Sequence, residues 1–98
     1  MGFKIIWTEP AVADLEDICF YIAQHDHEAA LRIARGIVAH SDLLATFPFI
    51  GPVYPPGSTG TLRLIVYRSY RILYDVYEER EGVEILHIWH GSRDEPVF

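Results

Sequence analysis

Three apolar and aromatic runs, at 61–67, 70–77 and 83–90, follow one another in the C-terminal half of the chain with only short breaks between them. Runs of this length rich in Val, Ile, Leu, Tyr and Trp read as strands. Glu79-Arg80-Glu81-Gly82 punctuates the last two as a hairpin turn. The spacing therefore predicts a three-stranded meander. A sheet needs a covering layer, and the N-terminal half supplies one. Phe3-Lys4-Ile5-Ile6-Trp7 is a further β-type run, and Thr8-Glu9-Pro10 follows as a helix start: a hydroxyl cap, an acid, and a proline tolerated in the first turn. Ala11, Leu15, Ile18, Cys19 and Ile22 then recur as one helical stripe, with Asp14, Glu16, Asp17 and Gln24 off it. His25-Asp26-His27 breaks the pattern, with Asp26 as the next N-cap. Ala30, Ile33, Ala34, Ile37, Ser41 and Leu44 form a second stripe, so the two helices should make an antiparallel hairpin. Residues 48–60 hold four of the six prolines and three of the seven glycines and read as a loop.

The expected fold is α+β, in the order β-α-α-β-β-β, with the helical hairpin on one face of a mainly antiparallel sheet. The other face should be partly open to solvent or a partner. Residues 1–98 are read as one domain, because 98 residues that are 50% hydrophobic and 22% charged exclude a disordered tail and suffice for a core. Eight Lys+Arg against 14 Asp+Glu give a net charge of -6, which argues against a general nucleic-acid binder. The lone Cys19 cannot form an internal disulfide and fits a reducing cytoplasm. No stretch approaches the ~20 apolar residues of a membrane span, and the first residues lack a signal-peptide pattern. A soluble cytoplasmic protein is expected.

Alternation along the strand at 70–77 puts Tyr70, Ile72, Tyr74 and Val76 on one face and Arg71, Leu73, Asp75 and Tyr77 on the other. If the first set faces the helices, Arg71 points to the open face, and Arg63 could join it from the adjacent strand. Two guanidiniums there would make a phosphate-sized electropositive site, unless they pair with acids across the sheet. His87 and His90 end the last strand and are candidate acids or bases near neutral pH; their spacing places them on opposite faces. His25 and His27 lack a third ligand, so no metal site and no cofactor are expected. Phe20 and Leu43 lie off their helical stripes, and Val53, Tyr54 and Phe98 fall in loop or tail. Together these suggest a protein-binding surface, or a rim folded over by the loop.

These residues resemble the RelE/ParE superfamily of bacterial toxins from type II toxin–antitoxin systems. Trp7-Thr8-Glu9-Pro10-Ala11, Asp14-Leu15, Ile18 and Tyr21-Ile22-Ala23 look like the family's first strand and helix, and Phe47-Pro48 with Gly51 like its mid-chain loop. Tyr70-Arg71-Ile72-Leu73-Tyr74, then Val83 through His90 and Arg93, carry the most telling match. The resemblance implies a growth-inhibiting toxin held inactive by a cognate antitoxin, ParD-like or other. Two branches share the fold: RelE-like members cleave mRNA in the ribosomal A site, and ParE-like members poison DNA gyrase. His90-Gly91-Ser92-Arg93-Asp94 looks closer to ParE. The chain has one lysine, Lys4, and no basic residue at 48–60, where RelE-like nucleases would be expected to help hold phosphate with cations. Gyrase poisoning is the leading expectation, with His90 and Arg93 as target contacts and Phe20 and Leu43 as antitoxin contacts. If the chain is instead a ribosome-dependent nuclease, Arg71, His90, Arg63 and His87 are the catalytic candidates. A family member without toxicity, acting only by binding an antitoxin, is the third reading. No membrane contact and no direct binding of free nucleic acid are expected.

Overall fold

The computed structural model describes residues 2–92. Strand β1 (Lys4–Trp7) is followed by helices α1 (Glu9–Ala23) and α2 (His27–Asp42), then by strands β2 (Arg63–Tyr67), β3 (Tyr70–Tyr77) and β4 (Gly82–His90). The sheet order is β1-β4-β3-β2. The three late strands form the expected antiparallel meander. β1 lies parallel to β4 at the other edge, with Trp7 opposite Ile85, and the helical pair carries the chain from β1 across the sheet to β2 at the far edge.

The two helices begin where the sequence marks them. Thr8 Oγ1 accepts the Ala11 N–H and donates to Ile85 O at 2.7 Å, so one hydroxyl caps α1 and ties it to β4. Asp26 Oδ1 accepts the Ala29 N–H at 3.0 Å and caps α2. The stripe residues Ala11, Ile37 and Leu44 pack on Ile65, Ile72, Tyr74, Val83, Ile85 and Ile88, with Tyr70 and Val76 at the margin. The face of β3 assigned to the helices is therefore the one that meets them.

The opposite face is partly open, as expected: Val66 is exposed and Arg71 half-buried, while the 48–60 loop roofs the middle of the face. Tyr54 from that loop packs with Leu64, Leu73 and Trp89 in a second small core, its ring 6.2 Å from that of Trp89. The loop is strapped to β2 by an isolated bridge between Val53 and Arg63, with the Tyr54 N–H on Leu62 O at 2.8 Å and the Leu64 N–H on Pro52 O at 3.1 Å. The prolines and glycines that mark this segment as a loop hide that it is a lid; the apolar Tyr54 is the residue that seats it.

One carboxylate off the α1 stripe has a structural task. β1 ends opposite Ile85, so the outer edge of β4 is bare beyond it. There the β3–β4 register slips: Tyr74 faces Ile85 but Leu73 faces His87, leaving Leu86 as the extra residue of a bulge. Asp14 Oδ2 accepts the Ile88 N–H and contacts His87 Nδ1, both at 3.0 Å, and so satisfies the bulged edge from the helix. Asp14→Ala strips a part-buried amide of its acceptor. It is expected to lower stability by about 1–2 kcal/mol in urea unfolding.

Candidate functional site

The end of the sheet where β2 turns into β3 and β4 runs out carries a shallow cleft that brings Arg71 and His90 together. Tyr67 pairs with Tyr70, so Arg68-Ser69 is a two-residue hairpin turn. Arg68 has φ 53°, a left-handed conformation that costs a non-glycine residue about 1 kcal/mol or more and that glycine or asparagine normally takes in such turns. Its side chain is exposed and folds back on its neighbour. Arg68 Nε donates to Tyr67 Oη at 3.2 Å, and its guanidinium lies 5.6 Å from the centre of the Tyr67 ring. The Tyr67 ring in turn rests against α2, where Gly36 has no side chain: a Cβ at Gly36 would collide with Tyr67 Oη. The His40 ring flanks it at 5.6 Å.

Arg71 is half-buried one residue into β3, and the chain end of β4 wraps it closely. The Gly91 N–H donates to Ser69 O at 2.7 Å, and a Cβ on Gly91 would stand only 3.2 Å from Arg71 Nε. This close approach is the local reason for glycine after His90. The His90 ring meets Tyr70 edge-on at 5.3 Å, and its Nδ1 accepts the Ser92 N–H at 3.2 Å. A neutral His90 therefore carries its proton on Nε2. Val66, Arg68, Ser69, Arg71, His90, Gly91 and Ser92 together line a cleft of about 360 Å³. Among the described residues neither Arg68 nor Arg71 meets a carboxylate; the ion pairs found are Arg80–Glu84 and His87–Asp14. The cleft is thus rich in donors and cationic on an acidic chain.

The other candidates are dispersed. Arg63 faces Tyr74 across β2–β3, whereas Arg71 faces Val66, so the two arginines lie on opposite faces of the sheet and the expected pair on one face does not form. Arg63 instead clamps the lid: Nη1 donates to Gly51 O at 2.7 Å and to Phe49 O at 3.3 Å, and its guanidinium lies 5.0 Å over the Phe49 ring. His87 is held by Asp14 at the bulge and faces away from His90's side of the sheet, as the spacing of the two implied. Phe20 is 72% and Leu43 46% exposed, so both are available to a partner. Tyr54, grouped with them from the sequence, is buried between the lid and the sheet, against Trp89. Arg93 and Phe98 lie outside the described residues. Among the described residues no three His, Cys, Asp or Glu side chains converge as a metal site, and no helix is long and apolar enough to cross a membrane. Arg68 is the residue that sequence reasoning passed over. Its signal was present: a two-residue break between strands that contains neither glycine nor asparagine asks what an arginine is doing there.

The family model described as the ParE toxin of the type II toxin–antitoxin system parDE matches residues 5–95. Toxin RelE2 of Caulobacter vibrioides is 37% identical over 91 residues, covering 92% of this chain and 97% of its own. The chromosomal ParDE toxin–antitoxin structure from P. aeruginosa contains a chain with TM-score 0.73 and 24% identity, covering 91% of this chain and 96% of that one. The RelBE2 toxin–antitoxin complex from Mycobacterium tuberculosis gives TM-score 0.72 and 21% identity, with 92% and 99% covered. At these identities the two structures show the shared fold of two helices on a four-stranded mixed sheet.

Proposed function

Because the chain belongs to the ParE toxin family of type II toxin–antitoxin systems, we propose that it acts in the cytoplasm by binding DNA gyrase on DNA, and that a cognate antitoxin holds it inactive. The observation that carries the gyrase reading is the dispersal of the acid–base candidates. Cleavage of RNA through its 2′-hydroxyl needs a base, an acid and phosphate-holding cations around one bond. Here Arg63 is spent on the lid, His87 is held by Asp14 at the bulge, and His90 has Nδ1 turned to Ser92. What the cleft assembles is a set of donors suited to gripping an anion, and poisoning by binding needs no more than that.

A ribosome-dependent nuclease is the second reading. Arg71 and His90 do share the cleft, and the curated relative is named RelE2. For the antitoxin, the exposed Phe20, Tyr21 and Leu31 on the helices and Leu43 beyond them offer apolar contacts, and the net charge of -6 favours a binding segment carrying Lys or Arg. The test is direct. Purified protein is added to gyrase, supercoiled plasmid and ATP, with a second topoisomerase as control, and the plasmid is examined after the enzyme is denatured. Linear product that requires gyrase and disappears with antitoxin is expected. A folded, growth-inhibiting protein that gives none would overturn the gyrase reading and send the cleft to a ribosome-dependent mRNA cleavage assay.

A further inference from the structure

We infer that the open stretch of the β2 edge, at Val66, is a strand-addition site for an extended segment of the cognate antitoxin, one that alternates apolar residues and carries an acid at its end nearest the β2–β3 turn. The inference rests on the reading above that an antitoxin is the chain's partner.

The first argument is backbone parity. The two-residue turn makes Tyr67 and Tyr70 a hydrogen-bonded pair, so Arg63, Ile65 and Tyr67 turn their amides and carbonyls toward β3. Leu62, Leu64 and Val66 turn theirs to the outer edge. The lid takes the first two: the Tyr54 N–H donates to Leu62 O, the Leu64 N–H donates to Pro52 O, and Gly51 sits against Leu64 O. There the lid stops, because the chain before it folds into a turn closed by the Ile50 N–H on Phe47 O. Among the described residues no backbone group across the outer edge bonds the Val66 N–H or O.

The second argument is what this edge lacks. Exposed edges are normally blunted by a lysine, a proline or a bulge. Here the unpaired position carries a β-branched apolar side chain that is 53% exposed. Ile50 and Leu43, both exposed, wall a groove of about 290 Å³ beside it, with His40 and Ile65 in the lining. A strand laid along the edge would take main-chain bonds from Val66 and set alternate side chains in that groove.

Charge decides the occupant. Val66 pairs with Arg71, and Arg68 is exposed at the turn. The carboxylates of the late strands lie at the far end, where Asp75 faces Glu84 and Glu78 and Glu79 occupy the turn beyond. A second copy, paired about a two-fold axis at Val66, would bring its own Arg68 and Arg71 against these and be repelled. A segment with an acid there is attracted. The net charge of -6 acts over the whole approach and favours Lys or Arg elsewhere in the segment, whereas the residue beside the turn answers the local field.

The test uses the full chain and a capped octapeptide that alternates valine with threonine and ends in two glutamates, beside a twin N-methylated at every amide. NMR and amide exchange at Val66 read the site. The Val66 amide is expected to exchange freely in the dilute free chain and to gain roughly tenfold protection at saturating peptide, with none from the twin. Lysines in place of the glutamates should weaken binding about threefold. Val66→Pro removes the free N–H at an edge position that tolerates proline, and should weaken binding about tenfold. Ile50→Ser alters an exposed residue, so it folds even where Val66→Pro does not, and should weaken binding about threefold. A Val66 amide already protected in the dilute chain, protection that grows with chain concentration because β2 pairs with its own copy, or equal binding of the N-methylated twin would each overturn the proposal. Purified antitoxin separates the proposal from the reading beneath it. Tight binding that leaves the Val66 amide exchanging as in the free chain would overturn the edge assignment, whereas no binding at all would overturn the antitoxin reading itself.

Discussion

Gly51→Ala is expected to lower the stability of the fold by about 3 kcal/mol, through overpacking and the loss of a buried hydrogen bond together. A Cβ at Gly51 would lie 2.5 Å from Leu64 O, 2.8 Å from Tyr74 Oη and 3.0 Å from Ile65 Cγ2. The first of these is strand backbone and cannot swing aside. The second belongs to a fully buried tyrosine whose hydroxyl accepts the Gly51 N–H at 3.0 Å. Burial also pushes the Tyr74 hydroxyl above its ordinary pKa, so it stays protonated over the working range. Gly51 O takes the Arg63 guanidinium at 2.7 Å, so a shift of this residue also loosens the clamp on the lid. At roughly 4–8 °C per kcal/mol for a domain of this size, the melting temperature should fall by about 12–24 °C. Gly57 is the matched control. It has φ 83°, but a methyl there would meet no atom within 4 Å, so Gly57→Ala should cost only about 1 kcal/mol of backbone strain. Thermal melts of the two variants separate close approach from conformation. A Gly51→Ala protein that melts with the parent would mean that the lid is not seated on β2.

That lid shows where sequence reasoning stopped. The helices were legible because caps and stripes are local: Thr8 and Asp26 accept the amides expected of N-caps, and Ala11, Ile37 and Leu44 meet the sheet. The inward face of β3 was legible because alternation fixes parity within a strand. Parity between strands depends on the turn. A two-residue turn at Arg68-Ser69 pairs Tyr67 with Tyr70, which places Arg63 opposite the inward Tyr74 and away from Arg71. The turn lacks the glycine or asparagine that would have announced it, so the register, and with it the face of Arg63, was hidden. The roofing of the second face by Tyr54 was hidden for another reason. A proline- and glycine-rich segment says that the chain is irregular, and nothing local says which surface it lies on.

Arg71→Ala is expected to reduce gyrase-dependent linear product about a hundredfold at fixed toxin concentration, the effect of removing a bidentate, charge-assisted contact. The fold should be untouched, because Arg71 makes no ion pair among the described residues whose partner would be stranded. Arg71→Lys keeps the charge but not the fork, and should recover part of the loss. Gly91→Ala gives an independent check on geometry. Its methyl would stand 3.2 Å from Arg71 Nε and 3.3 Å from Ser69 O, so the guanidinium must give by a few tenths of an ångström, and activity should fall modestly while the charge stays in place. The size and company of the loss separate the two readings of the cleft. A binding contact fails by itself, and His90→Gln, which keeps a polar side chain of similar reach, should then cost tenfold or less. A nuclease would lose roughly 10²–10⁴ in rate from His90→Gln if that ring supplies its acid or base, and the loss would persist at saturating toxin. Titrating toxin against Arg71→Ala and His90→Gln therefore asks one physical question: whether the cleft lowers the free energy of a complex, which more protein can restore, or of a transition state, which it cannot.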